Sequence, residues 1–196
     1  MSSDTEPSPL AELTPEEKTL LLQLARQAIS LGVETRKKMA TRPAHCSPSL
    51  LEPCACFVTL HLHGVLRGCI GTLEAEEPLV DAVVTAAYNA ALADPRFSPV
   101  TAEELPLMEI EISVLSPAEP LNVESESELL SVLQPGVDGL TVEEGVHRAT
   151  FLPTVWQQLP TPAEFFHHLK LKAGLADDYW SDRLSLSRYR SETFAE

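Results

Sequence analysis

Arg67 and Cys69 are the residues whose types and spacing come nearest to chemistry in this sequence. They lie one residue apart in Val65-Leu66-Arg67-Gly68-Cys69-Ile70, which follows the turn-forming pair His63-Gly64 and an apolar, β-branched run over 57–62. Two such runs about a short turn are the pattern of a hairpin. Side chains alternate along a strand, so Leu66, Gly68 and Ile70 share one face, and Val65, Arg67 and Cys69 the other. With Leu66 and Ile70 turned to the core, Arg67 stands beside Cys69, where a guanidinium favours the thiolate. Gly68 and Gly71 flank the cysteine, and glycine within a strand marks a bulge or a ligand close to the backbone. Glu109 and Glu111, on the polar face of a further strand, are available to orient Arg67. The structural alternative makes Cys69 a small core residue and Arg67 a surface ion pair. A nucleophilic cysteine also needs a base, and His63, the nearest histidine, is on the turn itself.

Cys54-Ala55-Cys56 and His61-Leu62-His63 raise a second chemistry, because cysteine and histidine are zinc ligands. Parity separates them: the even-numbered cysteines and the odd-numbered histidines point to opposite faces of a regular strand. No metal is expected. Residues two apart in a strand stand about 6.6 Å apart, near the upper limit for a disulfide, so Cys54 and Cys56 are read as reduced, along with Cys46 and Cys69. His147, His167 and His168 have no evident serine or cysteine partner and receive no role. The glycines from Gly64 to Gly71 fit neither the P-loop nor the G-x-G-x-x-G spacing, and no cofactor is called for.

The elements that must position these residues follow from periodicity. Thr14-Pro15-Glu16-Glu17 starts a helix, with an N-cap, a proline and then acids at the positive end of the dipole. Leu20, Leu21, Leu24, Ala28 and Leu31 carry it to about residue 38. Residues 41–53 hold three prolines and read as an extended loop. A second helix covers 78–93, with Ala82, Ala86 and Ala90 on one face for close packing, and ends at Asp94-Pro95. Residues 107–115 alternate Ile110, Ile112 and Val114 with Glu109, Glu111 and Ser113, the mark of a half-buried strand. A short acidic helix over 126–133, a hairpin pairing 139–143 with 149–152, a helix over 162–173 closed by Gly174, and a strand over 183–189 complete the set. Residues 1–13 and 191–196 read as tails, the first disordered.

Composition excludes several functions. A net charge of −15, from 14 Lys and Arg against 29 Asp and Glu, disfavours bulk nucleic acid. There is no apolar run of membrane-spanning length and no basic, apolar leader, so a cytoplasmic location is expected.

The first strand pair, with Phe57-Val58-Thr59-Leu60 and Leu66-Arg67-Gly68-Cys69-Ile70-Gly71-Thr72-Leu73, resembles the signature of the AMMECR domain family. Asp94-Pro95-Arg96-Phe97-Ser98-Pro99-Val100 and Glu109-Ile110-Glu111-Ile112-Ser113-Val114-Leu115 resemble two further family blocks. Phe151-Leu152-Pro153 with Val155, and Lys172-Ala173-Gly174-Leu175 followed by Trp180, resemble the last two, so that the likeness runs in order over about residues 18–190, within a domain over 14–190. Cys54 and Cys56 depart from the family's glycine and small apolar residues, and Thr154 stands where glutamine is common. The resemblance implies an α+β fold, with mixed or antiparallel sheets, packed helices and two intimately associated subdomains around a cleft. It implies a role like that of the A component of the AmmeMemoRadiSam system, beside a Memo-like protein and a radical SAM protein. Three readings stand. The chain is an accessory protein presenting a small ligand, nucleotide or peptide in a cleft around Arg67, Gly68, Cys69, Gly71, Thr72, Arg96 and Glu111; or a thiol enzyme with Cys69 as nucleophile and Arg67 as its activator; or an interaction scaffold in which the motif serves only the fold.

Overall fold

The computed structural model describes residues 13–40 and 46–196. The chain divides into two compact units, one running through Leu115 and taking back Glu192–Glu196, the other Ser116–Ser191. Each carries its own four-stranded antiparallel sheet and its own helices, an α+β arrangement.

In the first unit, helix α1 (Pro15–Thr35) begins on a capping box in which Thr14 and Glu17 satisfy each other's backbone N–H groups. The Ser47 and Ser49 hydroxyls also donate to Glu17 and pull its carboxyl down to about 2. They tie the start of α1 to α2 (Pro48–Leu51), a single turn whose Leu50 is fully buried. The expected loop therefore contains a helical turn: proline is tolerated at the first helical position, and Leu50 repays the ordering by entering the core. Residues 41–45 of that expected loop lie outside the described residues. Helix α1 stops at Thr35, short of 38, because Arg36 turns left-handed (φ 60°) and its N–H donates to Gly32 O.

Strands β1 (Cys56–Leu62), β2 (Val65–Gly71), β3 (Met108–Leu115) and β8 (Ser191–Ala195) form the sheet in the order β2-β1-β3-β8. Cys56, Val58 and Leu60 of β1, with Ile110, Ile112 and Val114 of β3, share one buried core with α1 and α3 (Leu79–Leu92). The alanines of α3 allow the close approach: Ala82, Ala86, Ala87 and Ala90 are all buried.

The reading of 191–196 as a tail is corrected by β8. Its polar sequence masks a strand whose order comes from outside itself. Arg26 donates to the carbonyls of Leu105 and Met108 and to the Glu196 carboxylate, and Lys18 pairs with Glu192. The other expected tail is corrected at its last residue, since Leu13 is 5% exposed and belongs to the core; residues 1–12 lie outside the described residues.

The second unit orders β4 (Glu119–Pro120), β5 (Gly139–Glu144), β6 (His147–Phe151) and β7 (Ser185–Tyr189) as β4-β7-β5-β6. Helices α4 (Glu126–Val132) and α5 (Pro162–Lys172) supply Leu129, Phe165, Phe166 and Leu169 to its core, where Phe165 stacks on Trp156 at 3.8 Å. Lys170 is 1% exposed, and its ammonium donates to Glu126 at 2.9 Å and to the Asp177 carbonyl. A buried charge needs such partners.

Deleting residues 191–196 removes a paired strand and two ion pairs. The expected result is a fall of at least about 5 °C in the unfolding midpoint, measured by calorimetry. Glu192→Gln with Glu196→Gln, which leaves the strand in place, is expected to cost less, on the scale of surface ion pairs.

Candidate functional site

The hairpin of β1 and β2 is irregular at the motif. Leu60 pairs with Gly68 but His61 pairs with Leu66, so Arg67 is an extra residue in a β-bulge. Alternation does not run through it. Cys69 lies opposite Thr59 and Leu66 opposite His61, which places Cys69 and Leu66 on one face. Two expectations are corrected as a result. Leu66 is 39% exposed instead of turned to the core, and the parity that put Arg67 beside Cys69 is broken by the bulge.

Gly68 instead faces the helices, so close to α3 that a Cβ there would lie 2.2 Å from the Ala90 carbonyl oxygen. Gly71 is pressed in the same way on β1, where a Cβ would lie 2.1 Å from Cys56 O. Both motif glycines are therefore used for backbone packing.

Strand β2 is an edge, and the backbone of Cys69 points outward from it. The Cys69 N–H donates to Asp94 Oδ2 at 2.9 Å, and Arg96 Nη2 donates to Cys69 O at 3.0 Å. Arg96 also grips Asp94 through Nε at 3.0 Å and Nη2 at 2.7 Å, and its backbone N–H donates to Oδ1. Asp94 is 4% exposed. The Arg96 guanidinium, and then the Cys69 and Arg96 backbone N–H groups, hold its carboxyl far below the usual carboxylate range.

Arg67 turns to the segment after α3. Its Nε and Nη2 donate to the two Glu104 carboxylate oxygens at 2.8 and 3.1 Å, and Nη1 donates to Ser98 O at 2.9 Å. Its side chain is 13% exposed. Glu104, not Glu109 or Glu111, orients it, and Arg67 lowers the Glu104 pKa in return. Glu111 stands on β3 across from Thr59, so Cys69, Thr59 and Glu111 make one row across three strands. The Thr59 hydroxyl donates to Cys69 Sγ at 3.3 Å, and the sulfur is half-buried.

Cys54 and Cys56 are shielded from reaction. Cys56 is fully buried, which pushes its thiol up to about 12, and burial also raises Cys54, whose Sγ donates to Leu115 O. Among the described residues no group of three or more His, Cys, Asp and Glu could hold a metal, and no helix is long and apolar enough to cross a membrane.

On the helix side of the sheet, where β2 ends, lies a cavity of about 210 Å3. Cys56, Ile70, Ala82 and Ala86 give it an apolar floor, and Thr85 and Asn89 of α3 add a hydroxyl and an amide. Gly71, Thr72, Glu74, Glu76 and Glu77 complete the lining. Of the residues singled out from sequence, Gly71 and Thr72 reach this cavity. Arg67, Gly68, Cys69, Arg96 and Glu111 do not line it. Asp94, Glu104, Thr85 and Asn89 were missed. The helical spacing of Thr85 and Asn89 beside the alanine face was the available signal, whereas Asp94 carried only the appearance of a helix end.

Gly68→Ala is expected to cost about 3 kcal/mol or more by overpacking against Ala90, whereas Gly64→Ala, at an open turn with φ 75°, should cost about 1–2 kcal/mol. Asp94→Asn tests the edge clamp by pH. A depressed carboxyl contributes stability that is present above its unfolded pKa of about 3.9 and is lost as pH falls towards the folded value. The gap in unfolding midpoint between the natural protein and Asp94→Asn should be full at neutral pH and narrow below about pH 4.

The AMMECR1 family model matches residues 22–194. A protein of Methanothermobacter thermautotrophicus is 39% identical over 188 residues, covering 95% of this chain and 97% of the relative. Protein MJ0810 of Methanocaldococcus jannaschii is 37% identical and covers 94% and 92%. The crystal structure of the uncharacterized protein PH0010 from Pyrococcus horikoshii superposes with a TM-score of 0.84 at 36% identity, covering 90% of each chain. The chain belongs to the AMMECR1 family.

Proposed function

We propose that the chain is a binding protein that receives a small molecule, or one residue of a peptide, in the cavity at the end of β2. The observation that carries this reading is the cavity itself, about 210 Å3 with an apolar floor and a polar rim. Pockets for drug-sized ligands run to roughly 300–1,000 Å3, so this volume suits a compact group better than a whole nucleotide. The motif's cations support the same view. Arg67 commits Nε, Nη1 and Nη2 to Glu104 and Ser98 O and does not stand ready to clamp a phosphate, while Arg96 holds Asp94 and Cys69 O through Nε and Nη2.

Thiol catalysis at Cys69 is less well supported. A thiol nucleophile is activated by a base or a neighbouring cation. Among the described residues no base is seen at Cys69 Sγ: the Thr59 hydroxyl donates to it, Arg67 is turned to Glu104, and Arg96, the cation beside the thiol, is held by Asp94.

A ligand-observed NMR screen of small amines, alcohols, acids and nucleosides tests the proposal. Compact fragments are expected to bind the natural protein, and Thr85→Phe, which fills the cavity from α3, should abolish their signals. Cys69→Ala should leave binding unchanged. An absence of hits, or hits that persist when the cavity is filled, would sink the reading, provided the unfolding midpoint of the Thr85→Phe protein stays within about 3 °C, a small surface-scale change.

A further inference from the structure

We propose that the cavity receives a side chain of an extended peptide whose backbone pairs with the N–H and C=O of Gly71, on the outer edge of β2. The inference rests on the cavity being a binding site and names the class of partner. Along a strand, backbone groups turn alternately towards and away from a given neighbour. The register against β1 is regular from Gly68 to Gly71. Cys69 faces away from β1, because its N–H and C=O meet Asp94 and Arg96. Thr72 faces β1, where its N–H donates to Cys56 O at 3.0 Å. Gly71 shares the parity of Cys69. Its N–H and C=O therefore point out from the sheet edge, and neither has a hydrogen-bond partner among the described residues.

The edge of β2 is thus closed at Cys69 by charged groups and open two residues on, beside the cavity that Gly71 lines. Crowding against Cys56 O explains why residue 71 has no side chain, but not why its outward groups are left open. Water at an exposed edge is the competing explanation. Parity favours a peptide. In an added strand, the residue opposite Gly71 turns its side chain to the Cys69 face, and the residues on either side turn theirs to the Ile70 face. Ile70 packs against the core shared with the helices and lines the cavity. A strand held at Gly71 therefore delivers a side chain to the floor of Cys56, Ile70, Ala82 and Ala86.

Two further features set what binds. Asp94 and Arg96 already occupy Cys69, so the added segment gains pairing at one residue and then leaves the edge. Its affinity rests on the side chain in the cavity, whose volume and floor suit a compact apolar group such as that of valine or leucine. The Thr85 hydroxyl and the Asn89 amide line the same cavity without a partner among the described residues, and each carries a donor for a peptide carbonyl.

Titrations of the full chain with acetyl-alanyl-X-alanine methylamides, where X is glycine, valine or leucine, test the pairing by 1H–15N NMR and amide hydrogen exchange. The valine or the leucine peptide is expected to shift the amide resonances of Gly71, Thr85 and Asn89. At saturation it should slow exchange at the Gly71 amide about tenfold or more, as a new hydrogen bond does. The glycine peptide should bind about tenfold more weakly or worse, the scale of one branched side chain buried. The alcohol 3-methylbutanol, a side chain without a backbone, should bind more weakly than the leucine peptide and leave Gly71 exchange unchanged. Peptide binding that shifts Thr85 and Asn89 without slowing Gly71 exchange would overturn the pairing while leaving the cavity a binding site. Binding of 3-methylbutanol as tight as that of the leucine peptide, or tighter, would do the same. Protection of Gly71 at undiminished affinity in Thr85→Phe would overturn the link between edge and cavity. If neither the peptides nor the alcohol shift these residues, both the inference and the binding reading fall.

Discussion

The architecture around the motif depends on how the exposed edge of β2 is closed. A strand edge presents unpaired N–H and C=O groups, and leaving them without partners is costly where water is excluded. Here one residue, Cys69, has both its outward groups taken by side chains from a single short segment: Asp94 accepts from the N–H and Arg96 donates to the carbonyl. Hydrogen bonds to charged groups are roughly twice as strong as neutral ones, and Asp94 and Arg96 neutralise each other while making them. The clamp fixes the segment leaving α3. That segment carries Ser98 and Glu104, which hold the bulged Arg67. Two blocks far apart in sequence thus become one unit through a carboxylate on a backbone amide.

This arrangement changes the meaning of the motif. Arginine, cysteine and two glycines in close order suggest a reactive centre, yet each has a task in the fold. The glycines admit α3 and β1 at distances no side chain would allow, and the arginine is held by Glu104. What the motif contributes to the cavity is a wall, at Ile70, Gly71 and Thr72, and the rest of the lining comes from Cys56, α3 and the segment before it.

Much of this was legible from pattern. The alternation in β3, the alanine face of α3, the Thr14 cap and both hairpins were readable because each depends on residues a few positions apart. The separation of Cys56 from His61 across β1 followed from the same local rule. What escaped reading was non-local. A bulge adds one residue without changing composition, so Leu66 looks like core although it is 39% exposed. Ser191-Glu192-Thr193-Phe194-Ala195 has little intrinsic strand character and is ordered by β3, Lys18 and Arg26, all remote in sequence. The acceptor for Cys69 lies 25 residues away in what reads as a helix terminator.

The late arrival of β8 has a consequence for synthesis. The sheet of the first unit lacks its fourth strand until the 76 residues of Ser116–Ser191 have been made, an interval of roughly 4–15 s at ordinary elongation rates of about 5–20 residues per second. During that time the outer edge of β3, with Ile110 and Ile112 buried on one side, is an open template for another chain. Glu109 and Glu111 alternate with those isoleucines and act as gatekeepers there. In the nascent protein they place negative charge along the one edge that has to wait for its partner.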